Sequence, residues 1–274
     1  GIPDPKETNP ELFNLTRSDA PIPQFVRAME MGGIEVDPQE VVDNLQYQPI
    51  KGVDGKEYII GTYNLDPNPK KSGETLEGPI TLMIAKKNEN NEYEWVPYTH
   101  GELASIAGVL IGVSDSILPG YQTSSTLREF NQIVLADALW RIPYGEKYSL
   151  FPQEGVINPK PLISAVNNVK RRYPENSIMV HHLVWGNNYA LPDWVIKGNY
   201  SKQQLEQFIT DYIVKIMTPL KGKVNSWVVV NEAFPSNWSW VDRSNFFWHD
   251  RLGPSTQWIK TAFRTAHQTD PSAT

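Results

Sequence analysis

An α/β fold of the (β/α)8-barrel type, with only the first half of the barrel present and a small α+β module ahead of it, is what this 274-residue sequence predicts. Three observations carry the prediction. Beyond about residue 105, short apolar runs alternate with amphipathic stretches four times over, the pattern of parallel βα units. Polar and aromatic residues gather where each apolar run ends: Ser114 and Asp115, then Asp137, then His181 to Trp185, then Asn231 and Glu232. Barrels carry their functional groups on that face. No G-x-G-x-x-G follows the first run, so a doubly wound sheet lacks its usual evidence.

Taken in order, residues 1–20 are polar and proline-bearing and predict a flexible lead-in. Residues 21–104 form the α+β module. FVRAMEMGG and DPQEVVDNLQ are its helices, the second with Asp37 as N-cap and Pro38 at the first helical position. YQPIKGVDGKEYIIGTYNL predicts a hairpin turning at Asp54-Gly55, and ITLMIAKK with YEWVPYT a second strand pair around NENN. Residues 105–274 form the half-barrel. Its strands are VLIGVSD (109–115), FNQIVLA (130–136), SIMVHHLVW (177–185) and VNSWVVVN (224–231). Helical stretches follow near 123–130, over 159–173, from Ser201 and over 254–268. The third starts on an S-x-x-Q capping box and buries Leu205, Phe208, Ile209, Tyr212, Ile213, Ile216 and Leu220.

Composition narrows the function. The chain is 40% hydrophobic, carries a net charge of −6 without a basic block, and has no cysteine. Nucleic acid and anionic membrane are poor partners for such a surface. No apolar run is long enough to span a bilayer, and thiol chemistry and cysteine-held zinc are excluded. Nine Trp and twelve Tyr in an acidic chain suit a carbohydrate-handling surface, because aromatic rings stack on the apolar faces of sugars. Gly1 is not a start methionine, which fits a processed chain; a secreted prokaryotic protein, extracellular or cell-surface, is the expectation.

The stretch WVVVNEAF (227–234) places Asn231 and Glu232 where a buried strand ends. A carboxylate lifted out of water by apolar walls has a raised pKa and works as a general acid near neutrality. Glycoside hydrolysis uses such an acid to protonate the leaving oxygen, with a second carboxylate as nucleophile or base. The neighbouring amide suits a sugar hydroxyl.

WVVVNEAF follows HHLVWGNNYALPDW by about 40 residues, and together they resemble glycoside hydrolase family 10, the endo-1,4-β-xylanases. The resemblance reaches forward through TAFRTAHQTDP and back through REFNQIVLADALW to LIGVSD. It implies a (β/α)8 barrel that hydrolyses β-1,4-xylan with retention and needs no metal or organic cofactor. It makes Glu232 the acid/base and Asn231 a contact to the sugar at the cleavage subsite. His181 and Trp185 line that subsite, and Trp194 is a packing residue. Where the family's second strand supplies Glu, Asn and Lys, this chain has Ala136, Asp137 and Trp140, so Asp137 and Trp140 become the expected sugar contacts. Gly186 and Val228 replace a family histidine and aspartate.

The family's nucleophilic glutamate belongs to the seventh strand, which these 274 residues do not reach. The other rim acids, Asp115, Asp137, Asp193 and Asp242, are expected to do turn or cap chemistry. Three expectations follow: a piece of a longer hydrolase, a second polypeptide supplying the other half-barrel, or a self-associating, non-catalytic carbohydrate-binding or structural derivative.

Overall fold

The structure, a computed structural model, describes residues 2–69, 75–233, 247–253 and 256–274. The chain divides into two compact units, Gly1–Val109 and Leu110–Thr274.

In the first unit the antiparallel sheet runs in the order β1 (Gln46–Lys51), β2 (Glu57–Pro69), β3 (Thr75–Lys87), β4 (Tyr93–Val96). The β1–β2 turn is built by its own residues: Gly55 takes φ 78°, and Asp54 accepts from the Lys56 amide at 2.9 Å and the Tyr58 hydroxyl at 2.6 Å. Helices α1 (Pro5–Thr8), α2 (Pro21–Met31) and α3 (Pro38–Asp43) belong to this unit, α3 capped by Asp37 as the sequence predicts. Ile22, Phe25 and Val26 of α2 join Val41, Ile59, Met83 and Trp95 in its core.

Two expectations need correction here. Within the expected flexible lead-in of residues 1–20, the described residues 2–20 pack onto the first unit instead. Leu12 is buried in the core, the Asn9 side-chain amide donates to the Trp95 carbonyl at 2.9 Å, and the Trp95 indole donates to the Pro3 carbonyl at 3.0 Å. A buried indole N–H needs an acceptor, and the lead-in supplies it. The boundary also moves from 104/105 to 109/110, because α4 (His100–Ile106) belongs to the first unit. It starts on a capping box, Thr99 and Glu102, and Ile106 packs with Tyr58 and Ile84.

The second unit is a parallel sheet in the order β5 (Gly112–Ser116), β6 (Gln132–Ala136), β7 (Ser177–Trp185), β8 (Ser226–Asn231). Helices α5 (Lys160–Arg172), α6 (Asp193–Lys197), α7 (Lys202–Met217), α8 (Phe247–Leu252) and α9 (Gln257–Thr269) complete it. The stretch near 123–130 forms a 3-10 turn over Ser125–Glu129. Alternate strand residues, Ile133 and Leu135, Ile178 and Val180, Trp227 and Val229, are buried in one core with Leu162, Val166 and Val169 of α5 and Leu205, Ile209 and Ile213 of α7. Each such aliphatic side chain contributes roughly 1.5–3 kcal/mol on burial. Their neighbours Val134, Met179, Val228 and Val230 are only half-buried, so one sheet face is covered and the other partly open. Thr274 pairs alongside β8: its amide donates to the Asn225 carbonyl at 3.0 Å, and its carbonyl accepts from the Trp227 amide at 2.8 Å.

Helix α7 begins where its signature falls, with Ser201 accepting from the Gln204 amide and Gln204 from the Ser201 amide. Ser201→Ala removes the hydroxyl half of this box and is expected to cost about 1 kcal/mol, read as a lower urea midpoint at unchanged slope.

Candidate active site

The C-terminal ends of β5 to β8 bring together Asp115 and Ser116, Asp137, His181 to Trp185, and Asn231 with Glu232. Two acids have left-handed backbones directly after their strands: Asp137 at φ 61° and Glu232 at φ 47°. Such a backbone is uncommon for any non-glycine residue and less tolerated by Glu than by Asp. Strain of this kind persists where surrounding structure over-determines it, and it concentrates at functional sites.

Among the described residues, one bond fixes Glu232: the Trp185 indole Nε1–H donates to its Oε2 at 2.7 Å. Trp185 is itself anchored, since it packs against the core and its carbonyl accepts from the Trp248 indole at 3.2 Å. The neighbouring backbone positions Trp185 and Asn231 are partners in the β7–β8 ladder. The expectation of apolar walls around Glu232 is not met among the described residues, where its side chain is exposed. It stands at the rim because the strand's apolar residues end at Val230.

Strand β7 is not regular. Its register against β8 shifts between His181 and Val184, and the extra residue leaves His182, Leu183 and Val184 buried in succession. Bulges of this kind re-aim side chains beside active sites. The His181–His182 peptide is cis. His181 is half-buried, with its Nδ1 3.2 Å from His182 Nδ1, while His182 is buried and its Nε2 has no partner among the described residues. Burial above all, and then the neighbouring His181, lowers the His182 pKa from 6.5 to about 3. The unfolded chain therefore binds a proton near pH 6.5 that the folded chain refuses until about 3. Between these values stability rises with pH and is lost on acidification. Taking the protein from pH 6.5 to 5 is expected to cost up to about 2 kcal/mol through this ring. Thermal midpoints across that window, flattened in His182→Gln, check it.

Asp137 accepts from the Ser116 hydroxyl at 2.6 Å and from the Tyr144 hydroxyl. Neither Ser116 nor Tyr144 is marked in the sequence by any motif; a carboxylate turning left-handed at a strand end is the one clue that donors must converge there. Asp115 does turn chemistry, accepting from the backbone amides of Ser116 and Gln122 at 2.9 and 2.7 Å. Asp193, the first residue of α6, pairs with Lys197 at 2.6 Å, and that bond holds its carboxyl below the usual range. Asp242 lies outside the described residues.

Trp140 needs correction. It was expected to present its ring to a sugar, yet it is 3% exposed. The ring sits within 5.2 Å, centroid to centroid, of Phe151, Tyr212 and Trp248, and its indole donates to the Leu183 carbonyl at 3.0 Å. The chain turns back after Asp137, so Ala138, Leu139 and Trp140 all enter the core. Trp194 packs as expected, against Phe151, Tyr200 and Phe208.

A parallel sheet with polar groups gathered at its C-terminal rim defines part of a (β/α)8 barrel. The crystal structure of xylanase 10B from Thermotoga petrophila RKU-1 in complex with xylobiose has this fold: it superimposes over 65% of this chain and 52% of its own, at TM-score 0.53 and 24% identity. Residues 122–274 match the family model for glycosyl hydrolase family 10. That is more than half of the sequence, and the chain belongs to that family. Endo-1,4-beta-xylanase A of Thermotoga maritima is 32% identical over 44% of this chain, and Endo-1,4-beta-xylanase 1 of Gibberella zeae is 32% identical over 54%. The chain covers 13% and 38% of the lengths of these two relatives.

Proposed function

We propose that this chain forms part of a retaining glycoside hydrolase acting on β-1,4-linked polysaccharide, xylan first, with Glu232 as general acid/base. The observation that carries the proposal is Glu232 itself, in a strained left-handed backbone directly after β8 and oriented by the Trp185 indole. With Oε2 held, Oε1 has no hydrogen-bond partner among the described residues and is left for the glycosidic oxygen. Glycan laid over the rim desolvates the carboxyl, the condition for general-acid work near neutrality.

In the first step Glu232 gives its proton to the leaving oxygen while a carboxylate from the other half of the barrel bonds to the anomeric carbon. In the second step Glu232 takes a proton from water, whose oxygen displaces that carboxylate and leaves the configuration as it began. Asn231 meets a hydroxyl of the sugar being cleaved, and His181 and Trp185 line that subsite. The reaction needs no metal or organic cofactor. A substrate too large to enter a cell argues for a protein that works outside the cell or on its surface.

One observation favours binding without turnover for these residues on their own. The described carboxylates of the neighbouring strand ends are engaged: Asp115 by backbone amides, and Asp137 by two hydroxyls. Reducing-sugar release from xylan, mannan and cellulose by the purified chain separates the two readings. Release that disappears with Glu232→Ala supports the hydrolase; binding with no release supports the binding reading.

A further inference from the structure

Three tyrosines at the same rim have no role in the chemistry above. Tyr121, Tyr144 and Tyr189 are 52%, 55% and 47% exposed, one on each of the loops that follow β5, β6 and β7. The β6 and β7 loops are tied together by the Arg141 amide, which donates to the Ala190 carbonyl at 2.8 Å, and the Ala138 amide binds the His181 carbonyl of β7 at 3.3 Å. The β5 loop folds back on its own strand, the Gln122 amide donating to Asp115 at 2.7 Å. Tyr189 is placed by its own loop, where its amide donates to the Asn187 side chain at 2.9 Å. Tyr144 is anchored through its hydroxyl on Asp137, whose second oxygen takes the Ser116 hydroxyl at 2.6 Å. The Tyr144 phenol is raised by burial and by its bond to Asp137.

The geometry points to these tyrosines as a sugar-binding platform centred on Asp137, which selects an uncharged β-1,4-linked glycan and holds it where neither Ala136 nor the buried Trp140 can. The inference rests on the carbohydrate reading of the site. A tyrosine ring gives large contact area at little entropic cost, Tyr144 the more so because its hydroxyl is held by Asp137, and tyrosine faces match the apolar faces of pyranose rings. Asp137, held as an acceptor by two hydroxyl donors, takes sugar hydroxyls through its remaining lone pairs. Its charge opposes a uronic acid laid on the same rings. The platform therefore prefers plain xylan or glucan chains to those substituted with glucuronate.

Calorimetric titration of the 274-residue chain with xylohexaose, cellohexaose and a glucuronate-substituted xylo-oligosaccharide tests this. Tyr144→Ala is expected to weaken binding of the neutral chains by about tenfold or more, and Tyr121→Ala and Tyr189→Ala by roughly threefold each. Tyr144→Phe keeps the ring and loses less than Tyr144→Ala. Circular dichroism confirms the fold, which exposed side chains leave intact. Unchanged affinity in all three alanine variants, tighter binding of the charged glycan, or no binding by the wild type overturns the inference. Glu232→Gln separates it from the hydrolase reading. Tyrosine-dependent binding in a protein without turnover removes hydrolysis and leaves the platform; Glu232-dependent turnover with tyrosine-independent binding does the reverse.

Discussion

Glu232→Ala is expected to lower turnover of xylan by about 10²–10⁴-fold, the usual contribution of a positioned acid/base. The loss falls on kcat for a polymer with a poor leaving group, because the departing sugar oxygen must be protonated as its bond breaks. The fold has little to lose. Glu232 is exposed, and its side-chain bond among the described residues is to the Trp185 indole at the rim. The left-handed φ of 47° makes a sharper version of the test. Glu232→Gly relieves backbone strain worth about 1 kcal/mol and is expected to be at least as stable as the wild type while equally inactive. Wild-type turnover in either variant contradicts the role assigned to Glu232. A large drop in thermal midpoint contradicts the view that its backbone is held in place by its surroundings.

Trp140→Ala is expected to do the opposite: to cost about 3–5 kcal/mol of stability and to leave glycan affinity per folded molecule unchanged. The ring lies between Phe151, Tyr212 and Trp248, with its indole bonded to the Leu183 carbonyl. Its removal leaves both a cavity and an unpartnered carbonyl. Urea unfolding measures the first outcome and calorimetry the second. Loss of affinity at full stability would return this ring to the sugar site.

The contrast between these two residues shows how far the sequence could be read. Parallel strands β5 to β8 were legible because their apolar runs are short and uniform, and α7 because its capping box and buried stripe agree. The placement of Trp185 and Asn231 at the ends of β7 and β8, with Glu232 directly after, was legible because the apolar runs end there. The lead-in at residues 1–20 was not, since its packing depends on one distant need, an acceptor for the Trp95 indole at Pro3. Nor was the fate of Trp140. Counting along a strand assumes the chain continues straight, but after Asp137 it turns left-handed and carries the next three residues inward. The same turn lets Ser116, at the end of β5, and Tyr144, further along the same loop, both reach Asp137. Contacts that join separate loops leave no periodic trace, so the tyrosine platform was invisible in the sequence although each of its members was plain to see. The β7 bulge is a further case: it breaks the period of two on which strand reading rests, and buries His182 beside His181.

The measurement that bears most directly on Glu232 is azide rescue of Glu232→Ala, in a form of the protein that carries a complete barrel. An aryl β-xyloside with an activated leaving group forms the glycosyl-enzyme without a proton donor, and without Glu232 that intermediate waits for a base. Azide needs no base and displaces the enzyme carboxylate directly. If Glu232 is the acid/base of a retaining hydrolase, azide restores turnover of the variant and the product is β-xylosyl azide. No rescue, or an azide of inverted configuration, contradicts it.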